Sequence, residues 1–347
     1  MWRRISSVAL LVCIFVTSSV PAASPQSDKW TRRTYQAQQL LDSYYGNGDN
    51  IVRAQTILNE VLTANPDFVP AQLQGVRLTL MGGHIVSYEF ASGALQTARA
   101  MLLRAVQLEP RNPEVHVLLG HLHFLEEDAA AALDSLNTAS ELKSENPWLN
   151  NDFGNVYFAQ GDWARADEYY KLVERLGPGN TPQQRRALVH ALTKRQQVAS
   201  QRDDPAEVQR LGKLATAAAA PEDAWTWGEV GNVLFVEGFF DEAIRNDRKA
   251  ISIMSYGVGR QNLALALYGK WAQMKSIGLD TEAEQYFAEA DSLLPLLDNF
   301  GLVQERFHRS ARSVIALGPL VYERFMELQH QQMQRLMHPG GPPPKDR

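Results

Sequence analysis

His116, His123 and Glu127 come closest, in type and spacing, to a set of residues able to do chemistry. Intervals of seven and four place them on one stripe of a helix. Two imidazoles and a carboxylate are the donors of a zinc site that could activate water. Two features weigh against that reading. His116 and His123 stand where a later segment carries the packing residues Trp227 and Leu234, and Glu127 falls in the turn beyond the helix. The expectation is therefore packing histidines, with a metal-dependent enzyme using His116, His123 and Glu127 as the minor alternative. No Gly-x-Ser-x-Gly, phosphate-binding glycine loop or paired carboxylate motif occurs, and Gly257-Val258-Gly259 alone reads as a loop. We expect no catalytic residue, no metal and no cofactor.

The remaining charge pattern concerns partners. Arg185, Arg186, Lys194, Arg195, Arg202, Arg210 and Lys213 outweigh Asp203, Asp204 and Glu207 in one segment. Such a cluster is either a solvated face or a dock for an acidic partner. The chain as a whole carries a net charge of −5, which argues against nonspecific binding to nucleic acid or to anionic membrane.

The N-terminus reads as an address. Arg3 and Arg4 precede the apolar run Val8–Val16, and Val20-Pro21-Ala22 offers small residues for cleavage before Ala23. That is the pattern of a secretory signal peptide over residues 1–22; an uncleaved anchor is the alternative. The run is short of the ~20 residues that cross a bilayer, and no later stretch is apolar enough to do so. Cys13, the single cysteine, lies inside it, so the mature chain would hold none. This suits an oxidising compartment, periplasmic or extracellular.

The elements that would position any site follow from a repeat. Gly120, His123, Ala132, Leu136 and Ala139 return 34 residues later as Gly154, Tyr157, Ala166, Tyr170 and Val173. A second pattern sets a small residue, a large one four later, a small one three later and a proline five beyond. It occurs as Ala54/Leu58/Val61/Pro66, Ala98/Leu102/Ala105/Pro110, Ala166/Tyr170/Val173/Pro178 and Ala283/Phe287/Ala290/Pro295. The first three of each set share a helical face, and the proline ends the helix. Gly231, Leu234, Gly238, Ala243 and Ala250 match the 154–173 set at an offset of 77, which leaves room for one lengthened unit between them. Seven units follow: 34–67, 68–111, 112–146, 147–180, 181–222, 223–257 and 258–297. Residues 81–88 are an insertion in the second, read as a longer helix pair. Residues 23–33 read as a linker, 298–337 as capping helices and the Pro/Gly-rich 338–347 as a disordered tail.

This period and its small-residue positions (Gly120, Ala132, Gly154, Ala166, Gly231, Ala243) resemble the tetratricopeptide repeat. The resemblance implies an all-α, right-handed solenoid of about seven helix pairs with a C-terminal cap. It also implies a groove lined by first helices that receives an extended peptide or a partner helix. Projected onto this chain, the groove residues are His121, Phe124, Trp148, Asn151, Asn155, Phe158, Trp225, Asn232 and Phe235. Asparagine amides can both donate to and accept from a peptide backbone, and the aromatics add apolar contact. The lysine that some relatives place one turn before such asparagines is replaced here by Asn151 and Gly228. No terminal-carboxylate clamp is expected. The implied function is an exported scaffold for a polypeptide, in the setting of polysaccharide export or other envelope assembly. Binding of a carbohydrate polymer through Trp148 and Trp225 is the alternative.

Overall fold

The computed structural model describes residues 25–44, 48–86, 89–293 and His330. The leader lies outside them, as do the tail and, His330 apart, the expected capping helices. Fourteen helices are described: α1 (Pro25–Asp42), α2 (Gly48–Ala64), α3 (Val69–Gly83), α4 (Ala94–Leu108), α5 (Pro113–Leu125), α6 (Ala129–Glu141), α7 (Leu149–Ala159), α8 (Trp163–Leu176), α9 (Pro182–Gln201), α10 (Pro205–Ala218), α11 (Ala224–Val236), α12 (Phe240–Ile253), α13 (Gly257–Ser276) and α14 (Asp280–Leu293). Each odd-numbered helix packs on the even-numbered helix that follows, giving seven hairpins. α1 starts at Pro25, inside the stretch read as a linker.

Local chemistry sets the helix starts. Asn112, Asp128, Asp162, Asp204 and Asp223 each accept a hydrogen bond from a backbone N–H in the first turn of their helix. Thr181 and Gln184 form a reciprocal capping box at the start of α9. Pro113, Pro182 and Pro205 stand in the first turn, where a missing N–H costs nothing.

Packing follows the small–large–small pattern. Ala54, Leu58 and Val61 are buried, as are Ala98, Leu102 and Ala105, and Ala166, Tyr170 and Val173. Fully burying one such leucine is worth about 1.5–3 kcal/mol. The repeat glycines explain how the helices come so close. A Cβ on Gly120 would stand 2.7 Å from the Leu136 side chain, and one on Gly154 2.5 Å from the Tyr170 ring. At Gly231 it would strike the Asp247 carboxylate.

The insertion departs from the sequence expectation. Instead of lengthening a helix pair, the chain leaves α3 at Gly83 and makes a short antiparallel ribbon, β1 (His84–Val86) with β2 (Glu89–Phe90). The β-branched pair Ile85-Val86 favours extended backbone.

The first helices touch one another in series, α1 to α3 and onward to α13. The second helices are spread further apart, so the first helices line the inner side of the curve.

Candidate functional site

Along that inner side, polar groups from successive first helices join into a ladder. Between α5 and α7, His121 Nδ1 stands 2.9 Å from the buried Asp152 Oδ1. Burial works against a charged imidazole there. The Asp152 charge and hydrogen bond outweigh it and raise the His121 pKa above its ordinary value.

Between α7 and α9, Asn155 Oδ1 accepts from the Tyr170 hydroxyl at 2.8 Å and lies 3.1 Å from His190 Nε2. Asn151 donates to the Ala187 carbonyl at 2.9 Å. Trp148 donates its indole N–H to Gln183 at 2.8 Å, with its ring centroid 5.6 Å from that of His190.

The next rung joins α9 to α11. Glu229 Oε1 is 3.1 Å from His190 Nδ1 and accepts from the Thr193 hydroxyl at 3.0 Å. Burial would push the Glu229 pKa up, but His190, Thr193 and Lys194 together hold it below the usual carboxylate range. Burial holds the Lys194 ammonium below its ordinary value, against the pull of Glu229, and it lies 4.9 Å over the Phe158 ring. Between α11 and α13, Asn262 donates to the Gly228 carbonyl at 3.1 Å.

The residues projected from the sequence divide between surface and interior. Trp225 is 41% exposed, its ring 6.1 Å from Tyr256. His121, Phe124, Trp148, Phe158 and Asn232 are half-buried. Asn151, Asn155 and Phe235 lie in the packing, Phe235 beside Phe240 in the core that α11 shares with α9, α12 and α13. Sequence projection missed Asp152, Gln183, His190 and Glu229. Three of these sit in or just past the degenerate fifth unit, where extra residues break the 34-residue register. His190, for instance, falls 35 after Asn155.

The zinc stripe does not assemble. His116 Nε2 turns to the Pro110 carbonyl at 2.8 Å, His123 lies beside Glu126, and Glu127 is exposed in a left-handed turn at φ 63°. Among the described residues no three His, Asp or Glu side chains are placed to share a metal ion.

The basic segment is largely neutralised from within. Arg195, almost wholly buried, meets Asp167 at 2.8 Å, Glu207 at 3.4 Å and Glu174. Arg202 meets Asp167, Arg210 meets Glu207, and Arg186 meets Asp223 at 2.7 Å. An acidic partner finds few free cations there.

The described residues form an all-α solenoid of seven helical hairpins with a polar ladder on its inner side, the architecture that the tetratricopeptide resemblance implies. No family model matches the chain, and no curated protein does. A solved structure similar to it is the APC/C hetero-tetramer Cut9–Hcn1, at 16% identity and TM-score 0.51, covering 80% of this chain and 48% of that one. Two others are PilW, described as a type IV pilus biogenesis factor (16%, 0.46, covering 66% and 95%), and pilF of Pseudomonas aeruginosa (16%, 0.45, covering 70% and 96%). At this identity the first likeness extends to the fold alone, and the other two fall below the similarity that supports an argument.

Proposed function

We propose that the protein is an exported, non-catalytic scaffold whose inner surface holds an extended polypeptide segment. The observation that carries this reading is the run Trp148–His190–Glu229 across α7, α9 and α11, backed from within by Asn155. Donors and acceptors there alternate beside aromatic rings, with spacing set by helix packing, not by a reaction centre. A peptide backbone offers alternating N–H and C=O groups to match, and Trp148, Phe158 and Trp225 supply apolar contact. Asn151, Asn155 and Phe235 act from within by fixing these helices. Export rests on the leader pattern at residues 1–22, and an envelope-assembly setting rests on the resemblance.

The test places a photo-crosslinking residue at Trp225 in the native compartment. A polypeptide adduct that vanishes with Trp148→Ala plus His190→Ala is expected. Adducts that persist unchanged would remove the groove from the account. Glycan pull-down in parallel checks the other occupant: retention that depends on Trp225 would favour a carbohydrate polymer.

A further inference from the structure

The C-terminal end of α1 reaches across the inner space to the fifth unit, about 140 residues away along the chain. Gln183 Nε2 donates to Asp42 Oδ1 at 3.0 Å, and an Arg186 guanidinium nitrogen donates to the Tyr44 carbonyl at 3.0 Å. The two ends are held differently. Asp42 is also gripped by Arg77 at 2.6 Å, and the Ser43 carbonyl accepts from Asn50, so this segment is set by its own first units. Gln183 also accepts from Trp148, and Arg186 is fixed by the buried Asp223, so the receiving side belongs to the inner ladder. α1 packs on α2 and α3, whereas α9 packs on α7, α8, α10 and α11. The crossing is thus a matter of reaching polar groups, not of helix faces, and two hydrogen bonds can be exchanged without unpacking either end.

We propose that Asp42–Tyr44 is an intramolecular occupant of the binding surface, closing the first five units upon themselves. The polypeptide that displaces it carries an acidic side chain for Gln183 and, two residues on, a backbone carbonyl for Arg186. The chain itself supplies the template for what this subsite accepts. This rests on the groove reading and makes it specific, since an acidic segment is selected and has to open the ring.

The test uses the full chain with Cys13→Ser and dyes on cysteines introduced at the exposed Val52 and Leu214. Asp42→Ala and, separately, Gln183→Ala are added; both residues are half-buried, away from the core. Lower energy transfer between the dyes is expected in each variant, and transfer unchanged in both would overturn the proposal. A labelled synthetic peptide of residues 38–45 is then titrated. It should bind Asp42→Ala at least fivefold more tightly than the parent and lose that gain when Gln183→Ala is added. Equal binding by parent and variant, or no binding to either, sinks the subsite. If the Trp225 adducts depend on the groove while Asp42→Ala moves neither readout, the scaffold reading survives and the latch does not.

Discussion

Gly154 links the repeat to the inner surface. Its missing Cβ leaves room for Tyr170, whose hydroxyl positions Asn155, which in turn lies beside His190. Gly154→Ala should therefore cost about 1–3 kcal/mol, the usual price of overpacking a filled core. The urea midpoint would show it, and an unchanged midpoint would mean that the ring has room to move. His121 gives a second test at this scale. Its folded pKa is raised above the unfolded value of 6.5, so its stabilisation is full below that value and fades as pH rises through the folded pKa. His121→Gln should lose more stability at pH 5.5 than at pH 8.5 in paired denaturant titrations. Equal losses at both would mean that the Asp152 contact does not govern its charge.

At the scale of elements, α9 is the clamp of its neighbourhood, packed on α7, α8, α10 and α11. Its Arg195 ties α8 and α10 together through Asp167, Glu174 and Glu207, and its side chain is only 6% exposed. Burial would raise the Asp167 pKa, yet Lys171 and Arg195 hold it below the usual carboxylate range. Without Arg195, Asp167 keeps Lys171 and Arg202 and Glu207 keeps Arg210, but the shared link between α8 and α10 is lost, so Arg195→Met should destabilise by about 1–3 kcal/mol. Adding Asp167→Asn should recover part of the loss in thermal unfolding; a double variant no better than the single would separate the two groups. The capping box offers a milder check. Thr181→Ala should cost about 1 kcal/mol and fray the start of α9. The small–large–small faces of the second helices and the prolines that follow them were legible in the sequence because they depend on neighbours a few residues away. The β1–β2 ribbon was not, because three or four apolar residues satisfy a strand and a longer helix equally well.

At the scale of the whole molecule, each hairpin leans mainly on its neighbours, so stability should vary along the chain as in other stacked repeats. Amide exchange should be slowest in α7–α10, which lie in the middle of the stack and hold the Arg195 cluster, and faster in α2, in the first hairpin. Uniform protection would indicate one cooperative block. The crossing from Asp42 and Tyr44 to Gln183 and Arg186 modifies this picture by tying the first unit to the fifth.

Period and composition by themselves determined the seven hairpins and their small-residue contacts, and the family resemblance implied the inner position of the first helices. These follow from helical spacing and from which residues can be buried, and both are written in local order. Only the tertiary structure decided that Phe235 and Asn151 are taken up by packing, that His190 and Glu229 complete the ladder, and that the basic segment is neutralised internally. Most of those outcomes hang on contacts between side chains from about 12 to 39 residues apart, whose partners are chosen by the curvature of the stack and by the extra residues of the fifth unit.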